Sequence, residues 1–178
     1  MAYENFTIKT QEALQDASSI ALKNDSPEIG VSHVLMALLQ QEDGIVPPLV
    51  ERIGVSCADL QKSVNELIIS LPKVQGSAQV YFSSNMQKVL AKAEKEMSNL
   101  KDQYLSTEHL LLAISESDDK ANDILKSKGI NHKSIIEALK SVRGNQSVDS
   151  NDPESKTRTL EKYTKDLTAL ARQDKIDP

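Results

Sequence analysis

Apolar residues recur at steps of three and four along most of this chain, the spacing that turns one face of an α-helix towards a core. Leu14, Ala17 and Ala21 mark the first such stripe. A dense apolar run from His33 to Leu39 follows, with Ser32 placed to cap it and Gly44 just beyond its end. Val46, Leu49, Val50 and Ile53 predict a third, short helix that stops at Gly54. Leu60, Val64, Leu67, Ile68 and Leu71 predict a fourth, which Pro72 ends. The scheme then begins again. Met86, Leu90, Ala93, Met97 and Leu100 line a long helix, and Thr107 is placed to cap a short one running to Ile114. Ala121, Ile124 and Leu125 precede a stop at Gly129, and Ile135, Ile136, Leu139 and Val142 complete the set before Gly144.

The two quartets share a register, which composition alone does not produce. Phe6-Thr7 is matched 76 positions later by Phe82-Ser83, and His33-Val34-Leu35-Met36-Ala37-Leu38 at the same offset by His109-Leu110-Leu111-Leu112-Ala113-Ile114. Ile53-Gly54-Val55 is matched by Lys128-Gly129-Ile130 at an offset of 75, the one-residue drift a loop allows. The chain therefore reads as a duplicated unit. Four-helix units this small bury little alone, so the predicted fold is all-α: two repeats packed as one pseudo-twofold body with a seam between them. Repeat one spans 1–71, a connector 72–81 and repeat two 82–144. Residues 145–156 hold Asn, Ser, Asp and Pro with a single Val, and predict an exposed, flexible linker. Leu160, Tyr163, Leu167, Leu170 and Ala171 then fall on one face of a C-terminal helical segment within 157–178.

Composition agrees and narrows the function. Aromatic residues are 3% of the chain, with six Gly and six Pro, too few for a β-sandwich. The net charge of −5, with basic residues interleaved among acids, argues against a nucleic-acid binder. No segment approaches the roughly 18 apolar residues needed to span a bilayer, and no secretory signal is visible, so no membrane partner is expected and the setting is expected to be cytoplasmic. Cys57 stands alone, without the partner a disulfide or a cysteine metal cluster requires.

Catalytic chemistry is not in evidence. The chain has no P-loop, dinucleotide-binding glycine motif, zinc-protease motif or serine-nucleophile motif. Three histidines occur, His33, His109 and His132, and the first two hold equivalent repeat positions at the start of apolar helices. They read as structural histidines rather than metal ligands or bases, and no metal is expected. Asp118-Asp119 reads as a helix start rather than an acid/base pair. Glu108 and His109 are sequence neighbours on a helix and point about 100° apart, which disfavours an enzyme built on them.

With these residues in hand, a family comes into view. Phe6-Thr7, Ser32-His33-Val34-Leu35 and Ser106-Thr107-Glu108-His109-Leu110-Leu111 resemble the N-terminal repeats of Clp ATPases. Leu71-Pro72-Lys73-Val74-Gln75-Gly76, Leu160 to Thr168 and Asp174 to Pro178 are similar to the ClpB-type disaggregases in particular. The resemblance implies a substrate-binding domain on a tether, belonging to a homohexameric machine that uses ATP and Mg in modules beyond this chain. That machine works on unfolded or aggregated proteins together with the DnaK system. This chain itself would need no cofactor, would not be an enzyme, and would be a monomer. Residues tied to substrate handling in the family match Thr7, Asp102 and Glu108 here. Groove positions that relatives often fill with apolar side chains match Lys92, Glu96 and His109, which makes the implied groove more polar. The alternative is an adaptor-docking domain of a ClpA- or ClpC-type protease unfoldase, since the repeats alone suit either.

Overall fold

The computed structural model describes residues 5–76, 79–144 and 146–152, and eight helices form within them: α1 (Ile8–Lys23), α2 (Val31–Gln40), α3 (Val46–Ile53), α4 (Cys57–Ser70), α5 (Ser84–Asn99), α6 (Thr107–Ile114), α7 (Lys120–Ser127) and α8 (His132–Arg143). No sheet occurs among the described residues, only two isolated bridges. The helical segment expected within 157–178 lies outside them.

Most helix ends follow from local chemistry. Thr7 caps α1, its Oγ1 accepting the Thr10 N–H at 3.1 Å, and the equivalent Ser83 caps α5 by accepting the Met86 N–H at 3.1 Å. Asp119 caps α7 through the Ala121 N–H at 2.9 Å, so the acidic pair does mark a helix start. Gly54 and Gly129 end α3 and follow α7 with φ of 102° and 80°, a left-handed turn that a side chain would strain.

Two predicted caps are misplaced, both for the same reason. Ser32 and Thr107 do not cap α2 and α6; Gly30 and Ser106 do. In each repeat the histidine three residues further on turns its ring back, and Nδ1 accepts the cap residue's own N–H. The distances are 2.9 Å for Gly30 to His33 and 2.8 Å for Ser106 to His109. Imidazole thus does what a Glu or Gln does in an ordinary capping box. It fixes the start of the helix ahead of the predicted cap.

The halves clasp reciprocally. Thr7 N–H donates to the Leu105 carbonyl at 3.0 Å while Leu105 N–H donates to Asn5 at 2.7 Å. At positions 76 further on, Ser83 N–H donates to Ile29 at 2.9 Å and Ile29 N–H to Tyr81 at 2.8 Å. Each half holds the opening residues of the other with the same atoms, which is the signature of a twofold relation. Helix packing repeats the pattern: α1 lies on α2 as α5 lies on α6, and α3 lies on α8 as α7 lies on α4.

A single apolar cluster runs through both halves, with Phe6, Leu35, Leu38, Leu49, Leu110 and Leu111 fully enclosed. Helix α6 is buried at every position and α2 at all but its last, as helices apolar on every side must be. Residues 146, 147, 149, 151 and 152 are exposed, as expected of the linker, but Val148 docks. Val148 is 2% exposed, and Gln103 N–H donates to its carbonyl at 2.9 Å. This stretch is a strap that docks on both repeats.

Candidate functional site

The turn leaving α5 builds the site. Lys101 takes a left-handed φ of 58°, and the Asp102 N–H returns to the Met97 carbonyl at 3.0 Å, closing the helix end. The turn leaving α1 does the same at Asp25 (φ 52°), with Ser26 N–H on Ala21 at 2.9 Å. Both turns deliver a polar side chain to the ring of a capping histidine. Ser26 Oγ lies 3.0 Å from His33 Nε2, and Asp102 Oδ2 lies 2.7 Å from His109 Nε2.

Because Nδ1 of each ring accepts a backbone N–H, the proton sits on Nε2 and both rings are neutral. Nε2–H of His109 therefore donates to Asp102, a hydrogen bond rather than an ion pair. Burial holds His33 below the ordinary imidazole range. His109 is 0% exposed with both nitrogens engaged, which leaves no lone pair for a base or a ligand.

Asp102 is the hub. Burial pushes its carboxyl upward, but bonds from His109, the Val148 N–H and Arg143 outweigh it and hold the carboxyl below the usual range. Arg143, from the end of α8, bonds Asp102 Oδ1 through Nη2, and Val148 N–H donates to the same oxygen at 2.9 Å. Arg143 Nε also lies 3.9 Å from Glu108 Oε2. Glu108 is 2% exposed, and its Oε1 has no hydrogen-bond partner among the described residues. One guanidinium thus serves two buried carboxylates, and an acceptor is left over.

Of the residues expected to handle substrate, Asp102 and Glu108 are brought together through Arg143. Thr7 joins them through Leu105, whose carbonyl takes the Thr7 N–H and, at 2.9 Å, the Thr10 hydroxyl. Thr7 is 0% exposed. Its neighbour Ile8 donates its N–H to the Asn151 carbonyl at 2.7 Å, so the strap runs from Asp102 to the residue beside Thr7. Sequence reasoning missed Arg143 and the strap. The one available signal was Val148, a lone apolar residue in a polar stretch.

The three groove positions do not line one groove. His109 is enclosed, as an all-buried α6 requires. Glu96 is 6% exposed and bonded to His132, while the half-buried Lys92 reaches the Glu116 carbonyl at 3.4 Å. A cleft of about 620 Å³ does open at the seam, lined by Ser26, His33, Leu67, Leu71, Asn85 and Asp119 among others. It is the twofold counterpart of the strapped site, with Ser26, Ser32 and Ser83 standing where Asp102, Glu108 and Thr7 stand opposite. Cys57 is buried and donates to the Leu39 carbonyl at 3.7 Å; burial pushes its thiol up, which disarms it as a nucleophile.

The doubled helical unit, the paired histidine caps and the reciprocal clasp are joined by a match of residues 5–128 to the Clp repeat (R) N-terminal domain. The chain belongs to the Clp repeat family. Chaperone protein ClpB of Bacillus cereus is 37% identical over 182 positions, and that of Corynebacterium efficiens 40% identical over 180. Each alignment covers 100% of this chain and 21% of the relative, so the chain spans about a fifth of the length of the curated relatives it matches. The Hsp104 N-terminal domain of Candida albicans superimposes with a TM-score of 0.74 at 27% identity, covering 83% of this chain and 97% of that one. This Clp repeat chain therefore takes its place among the N-terminal domains of ClpB/Hsp104-type chaperones. Among its described residues no helix is long and apolar enough to cross a membrane.

Proposed function

We propose that this domain captures exposed stretches of unfolded or aggregated polypeptide, in extended form, for a ClpB-type disaggregase. In this reading the longer parent is a cytoplasmic hexamer whose ATPase modules, with ATP and Mg, pull the captured chain while the DnaK system assists. What supports the reading is residues 146–152. A segment of polypeptide runs from Asp102 to Ile8, the residue beside Thr7, held mainly by its backbone: Val148 N–H on Asp102, the Val148 carbonyl on Gln103 N–H and the Asn151 carbonyl on Ile8 N–H. Groups that hold a main chain rather than particular side chains suit cargo of no fixed sequence.

The test is titration of the chain with a permanently unfolded, carboxymethylated protein, read by fluorescence anisotropy. Thr7→Ala, Asp102→Asn and Glu108→Gln are compared with the parent, and the Tm of each is measured because all three side chains are buried. Losing one charge-assisted bond to cargo weakens binding about tenfold. Equal affinity across all four proteins removes the trio from the site. Binding of a folded adaptor alone, with none of the unfolded chain, would transfer the domain to the adaptor-docking class.

A further inference from the structure

Within repeat two, apart from the strapped residues, three side chains meet that the fold does not otherwise use. Glu96 comes from α5, Glu116 from the loop after α6 and His132 from the first turn of α8. Their ligand atoms all lie within 4.8 Å of one another. His132 Nε2 is 3.0 and 3.1 Å from the two oxygens of Glu96, and 3.6 Å from Glu116 Oε1.

A ring nitrogen carries one proton, and one N–H serves one acceptor well; here three carboxylate oxygens converge on it. Glu96 is 6% exposed, and its carboxylate is hydrogen-bonded by His132. The nearby ammonium of Lys92 goes to the main-chain carbonyl of Glu116 instead of either carboxylate. Two anionic groups are thus held together with half an answer to their charge. The spacing fits a fuller one. Atoms bound to a metal at about 2.1 Å stand about 3.0 Å apart in an octahedron and about 3.4 Å apart in a tetrahedron. The 3.0 to 3.6 Å from His132 Nε2 to the oxygens of Glu96 and Glu116 span both values, and all three ligand atoms lie within 4.8 Å of one another, close enough for small side-chain rotations to bring them onto one ion.

We propose that Glu96, Glu116 and His132 form a binding site for one divalent transition-metal ion of the zinc type. Imidazole with carboxylates is the donor set such ions take, whereas magnesium and calcium prefer oxygen alone. Binding replaces the Nε2 proton by the cation, so the proton leaves to solvent and every converging oxygen gains a partner. With three protein ligands and a side open to water (His132 and Glu116 side chains are 37% and 40% exposed), the fourth position stays available to solvent or to a side chain of a partner. The absence of a metal motif from the sequence is no obstacle, because the ligands stand on three separate elements.

The experiment is calorimetric titration of the metal-free chain, carrying no histidine tag, with zinc chloride at pH 7.5. The expected result is one ion per chain, a raised Tm, and weaker binding at pH 5.5, where protons compete with the metal for its ligands. Magnesium should give no comparable heat. His33 and His109 are 1% and 0% exposed, so His132 is the one histidine a surface-bound ion can reach. Glu116→Gln changes an exposed group and should fold as the parent does, whereas His132→Ala also removes the partner of the buried Glu96 carboxylate, so its Tm is measured alongside; binding should be lost in His132→Ala and weakened at least tenfold in Glu116→Gln. Failure of the parent to take up zinc at one per chain, or uptake undiminished in His132→Ala, overturns the site.

Discussion

At the scale of single residues, the two histidine caps differ in one partner and so differ in electrostatics. His33 faces Ser26 and is held neutral by burial, whereas His109 faces an ionised Asp102. Both titrations favour the native state at neutral pH. His33 has its native pKa lowered, so below about pH 6.5 the unfolded chain takes up that proton first and stability falls. Asp102 also has its native pKa lowered, so its contribution is complete above the usual carboxylate range and drains away as pH falls through that range towards the native value. Thermal melts from pH 8 to pH 3 should therefore show Tm declining in two limbs. His33→Gln, whose side-chain oxygen can take the same Gly30 N–H, should fold and lack the upper limb. Asp102→Asn should flatten the lower limb and cost about 2 kcal/mol at pH 7, because it takes from Arg143 the nearer of its two carboxylate partners. A single-limbed melt in the parent would remove His33 from this account.

At the scale of elements, six helices were readable from stripe and cap because their polar faces meet water. The starts of α2 and α6 were misread because a histidine does the capping, and nothing local distinguishes that ring from any other apolar-flanked histidine. The strap was legible only as a lone valine, since its docking depends on Asp102 and Ile8, which are remote in sequence. The trio Thr7, Asp102 and Glu108 could be named from resemblance, but its burial and its dependence on Arg143 needed coordinates. Lys92, Glu96 and His109 were grouped by alignment, which cannot tell an enclosed helix from an open one. The strap also makes a prediction. If cargo uses the same backbone partners, a strap seated about nine-tenths of the time weakens apparent affinity about tenfold. A chain ending at Gly144 should bind the unfolded protein correspondingly tighter in the same anisotropy assay. Unchanged affinity would show that strap and cargo do not share a surface.

At the scale of the whole molecule, the duplication governs stability. Phe6 is wholly enclosed and bridges to Leu105 of the second half, and α3 and α4 pack on α8 and α7. Neither repeat closes a core by itself. Residues 1–76 alone should lack a cooperative thermal transition by circular dichroism, and mixing with residues 77–152 should restore one. A cooperative melt of the first half alone would show that the clasp is ornamental. The same symmetry explains how one fold can place Ser26, Ser32 and Ser83 at an open cleft on one side and Asp102, Glu108 and Thr7 at a strapped site on the other: duplicated backbones supply the turns, and substitution at equivalent positions sets the chemistry.

The reciprocal clasp bears on how the chain is made. Thr7 waits for Leu105, nearly a hundred residues downstream, so on a ribosome the first repeat emerges with its opening segment unpartnered until much of the second has followed. At roughly 5–20 residues per second of synthesis that interval lasts on the order of ten seconds. A domain that we propose to shelter unfinished chains is, for that long, an unfinished chain itself.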